Sequence, residues 1–180
     1  MGGAIAQEFA VAYPDRTRSV SIVCSWSKSD RWMAELMSQW DDVFAQQGRV
    51  AWDRTTWLWV FTERFFNADP NPLPQLLADS ENMPFPQSLE CYMRQSDAFK
   101  SFDIIDRLPS ISAPAHVIVG EEDIYTPLRY SLVIANAIPG ATLTVIPEAG
   151  HGVFWEQTAE FNRSVGNFLL EAEQSANGVD

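Results

Sequence analysis

The sequence predicts an α/β fold: three parallel strands with flanking helices, and a helical lid inserted between the first and second strands. Three observations carry this. Residues 2–24 run helix, turn, strand, which is the second half of a βαβ unit. Residues 25–100 show helical spacing with no strand signal. From Ile104 strand and helix alternate again, to a long amphipathic helix near the end.

Residues 2–13 read as a helix with Ile5, Phe9 and Ala12 or Tyr13 on one face and Pro14 as its stop. Pro14-Asp15-Arg16 is a turn, and Ser19–Cys24 a short, mostly apolar strand. Residues 1–25 therefore form one core segment, and 26–103 the lid. Within the lid Met33, Leu36, Met37, Trp40, Val43 and Phe44 keep helical spacing, and Trp57, Phe61 and Phe65 repeat at i, i+4, i+8 as one further helix. A Pro-rich break at 67–74 and the run Met83-Pro84-Phe85-Pro86 set off short helices around Gln75–Ala78 and Gln87–Phe99. The segment 104–172 is core again. Ala115–Gly120 reads as a strand of buried type, and Thr126 as an N-cap before Pro127, with the helix running to Ala137. Thr142–Ile146 is the last strand. Trp155–Glu171 is a closing helix with Phe161, Val165, Phe168 and Leu169 inward, and 173–180 is expected to be a disordered polar tail.

With 180 residues the chain has room for one domain, or one domain with a small insertion. Hydrophobic residues at 46% and charged residues at 20% suit a globular core. Twelve Lys plus Arg against 24 Asp plus Glu give a net charge of −12, which repels phosphate backbones and anionic lipid heads. Nucleic-acid and membrane partners are therefore excluded as first readings, and no apolar run reaches membrane-spanning length. Cys24 and Cys91 make neither a CxxC pair nor a disulfide framework, and Cys24 reads as a buried free thiol. No signal peptide opens the chain, and Ala6 stands where a myristoylation signal needs Ser or Thr, so the expected location is the cytoplasm.

Two loops are placed for chemistry. Gly120-Glu121-Glu122-Asp123 comes after one strand and Ala149-Gly150-His151-Gly152 after the next. Parallel neighbours about 4.8 Å apart send both loops out of one sheet edge, the edge where open α/β sheets bind ligands. Asp123 then comes within hydrogen-bond reach of His151, and an Asp that holds an imidazole is the orienting half of a nucleophilic triad. Taken singly, Asp123 also reads as a turn or cap residue, and His151 as a structural histidine between turn glycines. The pair at equivalent strand exits favours the functional reading.

The runs GEEDIYTP (120–127) and IPGATLTVIPEAGHGVFWE (138–156) resemble the α/β-hydrolase superfamily, and the likeness extends over essentially the whole chain. The opening Met1-Gly2-Gly3-Ala4-Ile5-Ala6 is similar to the stretch just after the serine of that family's Gly-x-Ser-x-Gly elbow. The resemblance implies the C-terminal part of an α/β-hydrolase fold, with the nucleophilic serine expected just before Met1. It also implies Asp123 as triad acid, His151 as general base, the backbone N–H of Met1 in the oxyanion hole, and Gly2 as the elbow glycine that permits close packing. Within the superfamily the chain most resembles 3-oxoadipate enol-lactonases and aminoacrylate hydrolases. The implied reaction is hydrolysis of an ester, lactone or related carbonyl compound, with no cofactor. Dehalogenases, with an aspartate nucleophile commonly followed by Trp, and cofactor-free haloperoxidases are alternatives on the same fold; Met1 favours serine.

The lid holds Trp32, Trp40, Trp52, Trp57 and Trp59, which either line an apolar pocket or pack lid helices together. Trp26, Trp57, Phe154 and Trp155 are the candidate substrate-binding residues. His116 inside a strand reads as structural, and Glu121-Glu122 as a solvated loop. No spacing along the chain gives a metal-ligand set, and no Gly-rich phosphate loop comes after a strand. The rival from another class is a non-catalytic truncated relative that binds a ligand or partner. As written, the chain is expected to be inactive on its own. It is also expected to self-associate through the open edge of its first strand, with Ile5 and Phe9 exposed.

Overall fold

Val20–Val23 (β1), Ala115–Gly120 (β2) and Thr142–Ile146 (β3) pair in that order as a parallel sheet. The computed structural model containing it describes residues 1–177. The register sets Val20 beside Ala115 and Val23 beside Ile118, then His116 beside Thr142 and Gly120 beside Ile146. β2 lies between the other two and every one of its residues is buried, which is why it reads as a near-continuous apolar run. His116, the polar residue in it, places Nε2 2.9 Å from the Thr144 hydroxyl and packs against Phe168, while its Nδ1 is buried without a partner among the described residues.

The chain divides into two compact units, one of residues 1–28 with Asp103 onward, the other Ser29–Phe102. In the first, Gly2–Ala12 forms α1, which turns Ala4, Gln7 and Ala10 inward. Ile5 is 63% exposed, with Phe9 and Tyr13 also at the surface, the exposure expected of Ile5 and Phe9 in the chain as written. Small residues decide this. A Cβ on Gly3 would stand 2.5 Å from Ser25 Oγ, so the helix sits too close to the end of β1 for larger side chains. Gln7 Nε2 bridges the gap, donating to Gly3 O at 2.9 Å and Trp26 O at 3.0 Å. The glycine packed closest here is therefore Gly3, whereas a Cβ added to Gly2 would meet nothing within 4 Å.

The second unit is helical: α2 Arg31–Gln47, α3 Arg49–Val60, α4 Glu63–Phe66, α5 Leu73–Glu81 and α6 Leu89–Ser101. Asp30 caps α2 by accepting from Met33 N at 2.9 Å, and Met33, Met37, Trp40 and Phe44 form its buried stripe. The expected helix through Trp57, Phe61 and Phe65 is interrupted, because the Thr62 hydroxyl caps a new start at Phe65 N. The Phe61 and Phe65 rings nevertheless stack with centroids 4.0 Å apart. Trp40 meets Trp52 and Trp59, Trp32 meets Trp59, and Trp52 Nε1 donates to Tyr92 at 3.0 Å, so four of the five tryptophans pack together within this unit. The buried Asp41 is held by Lys100 at 2.8 Å and Ser96 at 2.9 Å, which ties α2 to α6. Among the described residues no helix is long and apolar enough to cross a membrane.

The remainder of the first unit holds α7 (Leu128–Ala137), α8 (Val153–Glu156) and α9 (Thr158–Asn177). The single closing helix expected from Trp155 is thus two helices that meet at Gln157. Phe161 and Val165 pack on the cluster of Cys24, Ile118, Ile146, Ala149 and Val153, whereas Leu169 is half exposed. α9 continues through 173–177, where the polar composition predicts a disordered tail; the buried Ala172 holds its last turns to the unit. Residues 178–180 lie outside the described residues.

One contact positions the loops at the carboxyl edge of the sheet. A Cβ on Gly120 would fall 2.2 Å from Gly150 O and 2.3 Å from Ala149 O. Gly120→Ala is expected to push the 149–152 loop away from β2 and to cost about 1–3 kcal/mol. Urea unfolding with an unchanged midpoint would contradict this.

Candidate active site

Gly120 ends β2, and the chain turns at once, with Glu121 N donating to Ile146 O at 2.8 Å and Glu122 N to Ala149 O at 2.9 Å. The two acidic side chains stay exposed while their amides lock this turn against the end of β3. Asp123 points inward and is only 4% exposed. Its Oδ1 accepts from Tyr125 N at 2.9 Å and Thr126 N at 2.8 Å. Its Oδ2 accepts from the Thr126 hydroxyl at 2.9 Å and from His151 Nδ1 at 3.0 Å. Thr126 thus caps no helix: α7 begins after Pro127 with no side-chain cap, and the Thr126 oxygen lies 3.0 Å from His151 Nδ1.

Burial by itself drives the Asp123 carboxyl upward. Hydrogen bonds from His151 and Thr126, with the imidazole's charge, outweigh it and hold the group below its ordinary value of 3.8. A carboxyl depressed by folding contributes stability that is present above pH 3.8 and is lost as pH falls through the folded-state value. The difference in urea midpoint between the native chain and Asp123→Asn is therefore expected to shrink once pH drops below about 4. A difference that holds constant down to acid unfolding would refute that assignment.

His151 stands after β3 on the loop that Gly120 admits, and Glu156 fixes the loop by accepting from Gly150 N at 2.8 Å. Its ring lies 4.7 Å from that of Tyr125 and its side chain is 20% exposed. Because Nδ1 faces a carboxylate, hydrogen-bond logic gives it the proton and leaves Nε2 as the basic nitrogen. The ring opens on a cavity of about 380 Å³ bounded by Met1 and Gly3 of the first helical turn, by Cys24 at the end of β1, and by Phe154 and Phe161. Among the described residues no serine hydroxyl is bonded to His151.

The other candidates fall differently. Phe154 lines the cavity, but Trp155 is 62% exposed, and Trp26 is buried at 1% and is not among the cavity's lining residues. Trp57 lies half-buried on α3 of the second unit. Two further residues, which sequence patterns alone do not single out, belong to the site. Thr126 is signalled only by its place three residues after Asp123, the span of an Asx-type turn. Cys24 ends β1 at the same sheet edge, with a φ of 44°. Burial, and next the Asp123 charge, raise its thiol far above the usual range. Spacing along the chain offers no metal set, yet folding gathers Cys24, Asp123 and His151 with one donor atom each within 4.8 Å of one another.

A model of the alpha/beta hydrolase fold family matches residues 1–158. The Azorhizobium caulinodans protein named as the carbamate hydrolase RutD is 25% identical over 175 residues, covering 97% of this chain and 65% of its own length. Among solved structures, MGS-M2, an alpha/beta hydrolase from a deep-sea metagenome library, superposes with a TM-score of 0.83 at 23% identity, over 93% of this chain and 62% of its own. The enol-lactonase from Burkholderia xenovorans gives 0.82 at 23% identity, over 94% and 63%. The chain spans just under two thirds of the length of the curated relatives it matches.

Proposed function

The chain belongs to the α/β-hydrolase family, and from that premise we propose that it carries the acid and the base of a serine hydrolase acting on a carboxylic ester, lactone or related carbonyl compound. One observation carries this reading: the Asp123–His151 pair, 3.0 Å apart, faces a cavity whose wall includes the first turn of α1. In this family the nucleophile stands at the turn into that helix, so the position just before Met1 is the one that His151 serves. The carbamate hydrolase and enol-lactonase names of similar proteins support a carbonyl substrate.

The mechanism is built from these groups. His151 Nε2 takes the serine proton as the oxygen attacks the carbonyl carbon. Asp123, kept ionised by its four hydrogen bonds, steadies the imidazolium that forms. The backbone N–H of Met1 is the proposed donor to the developing oxyanion. His151 then returns its proton to the leaving oxygen, and water, activated by the same nitrogen, releases the acyl group. No cofactor is called for. Phe154 is the proposed apolar wall beside the reacting carbon. Trp57, Trp155 and Trp26 are further proposed determinants of substrate preference. A cytoplasmic setting agrees with two free cysteines. β1 is an edge strand among the described residues, and it is open to pairing with a preceding segment or with a second copy.

The test compares two proteins on activated esters, simple lactones and carbamates: residues 1–180 alone, and the same chain extended upstream in its reading frame through a Gly-x-Ser elbow. Turnover is expected in the extended protein and background rates in the short one. Efficient turnover by residues 1–180, or none by an extended and folded protein, would overturn the reading, and the latter would favour a binding role.

A further inference from the structure

Cys24, Asp123 and His151 leave the carboxyl ends of three adjacent parallel strands, and their sulfur, oxygen and nitrogen donors converge within 4.8 Å. We propose that these three side chains form a binding site for a thiophilic divalent cation of the zinc class, and that the bound cation holds the centre in a non-hydrolytic state.

The geometry is close to what such an ion needs. Bonds of about 2.0–2.3 Å in a tetrahedron set ligand atoms some 3.3–3.8 Å apart, so the cluster needs little contraction. The carboxylate is already oriented by Tyr125 N and Thr126 N on Oδ1, and its Oδ2, which also accepts from the Thr126 hydroxyl, faces the other two donors. A thiolate, an imidazole and one carboxylate oxygen favour zinc or cadmium over magnesium or calcium, which prefer all-oxygen shells. The cavity against Cys24 and His151 gives the ion a way in and leaves its fourth position to water.

The protons balance simply. The cation replaces the thiol proton of Cys24, which leaves to solvent, so one proton is released per ion bound. The imidazole stays neutral, and its proton passes from Nδ1, now a ligand, to Nε2. An Nε2 that carries a proton cannot accept one from a nucleophile, so ion binding and hydrolysis exclude each other. That last consequence rests on the proposed function; the binding site does not.

The experiment is a Cd2+ titration of the purified chain, read by the ultraviolet thiolate-to-cadmium charge-transfer band. The band is expected in the native chain and in Cys91→Ser, whose thiol is exposed and remote in sequence. It is expected to vanish in Cys24→Ser, an isosteric change. Loss of a surrounding hydrogen-bond partner alone costs metal sites about 10–100-fold in affinity, so His151→Ala is expected to weaken binding by at least about tenfold. A band that survives Cys24→Ser, one that disappears in Cys91→Ser, an unchanged affinity in His151→Ala, or no band in a chain folded by circular dichroism would each overturn the proposal. No substrate is involved, so the outcome is separate from any failure of the hydrolase reading.

Discussion

Replacing His151 with Ala is expected to lower kcat about 10⁴-fold or more in the hydrolase completed by its serine, with KM little changed. The serine loses the group that takes its proton, and the charge developing on the imidazole has nowhere to form. Within residues 1–180 the other histidine, His116, cannot substitute, because it is buried in β2 and bonded to Thr144. The stability change is expected to be small, because the His151 side chain is partly exposed and its bonds among the described residues run to Asp123 and Thr126. A His151→Ala enzyme with turnover within tenfold of the parent would remove this residue from the base role.

Asp123→Asn is the second large effect, expected at about 10⁴-fold in kcat. The amide keeps the shape of the carboxylate, so Tyr125 N and Thr126 N can still be served by its oxygen. Its NH2 group then faces the Thr126 hydroxyl and Nδ1, where Oδ2 stood as acceptor. The imidazole flips its proton to Nε2 to accept from that amide, and the basic nitrogen is lost. Asp123→Ala acts on stability as well, because two backbone N–H groups and one hydroxyl, all close to a buried position, lose their acceptor. Unsatisfied donors cost about 1–3 kcal/mol each. A urea midpoint lower for the alanine variant than for the asparagine variant, measured at neutral pH, would separate packing from charge. Equal kcat in parent and Asp123→Asn would rule out the orienting role.

Much of this centre is legible before any coordinate. β2 and β3 are bounded in the structure by the residues that close their apolar runs, Ala115–Gly120 and Thr142–Ile146. Two parallel strands joined by one helix must send their loops out of the same edge, so topology and residue type alone make neighbours of Asp123 and His151. Such inferences use short-range signals, periodicity and chain order, and the sequence states these directly.

What it does not state is which atoms of distant segments touch. α1 turns Ala4, Gln7 and Ala10 inward because Gly3 lies against Ser25, a contact between residues 22 positions apart, and no helical wheel records it. The helix through Trp57 and Phe65 breaks because Thr62 offers a hydroxyl to Phe65 N, a cap that outcompetes continued periodicity. Thr126 looks like a cap and is drawn instead to Asp123 and His151, whose buried charge binds a hydroxyl more strongly than a helix end does. Cys24 reads as a core thiol, and only the closing of β1 on β2 brings it beside them. By itself the sequence determined the strand segments and the pairing of Asp123 with His151, because local chemistry and topology specify those. The tertiary structure alone decided the close packing of α1, the service of Thr126 and the three-donor cluster, because each depends on distances of a few ångströms between residues that the chain holds far apart.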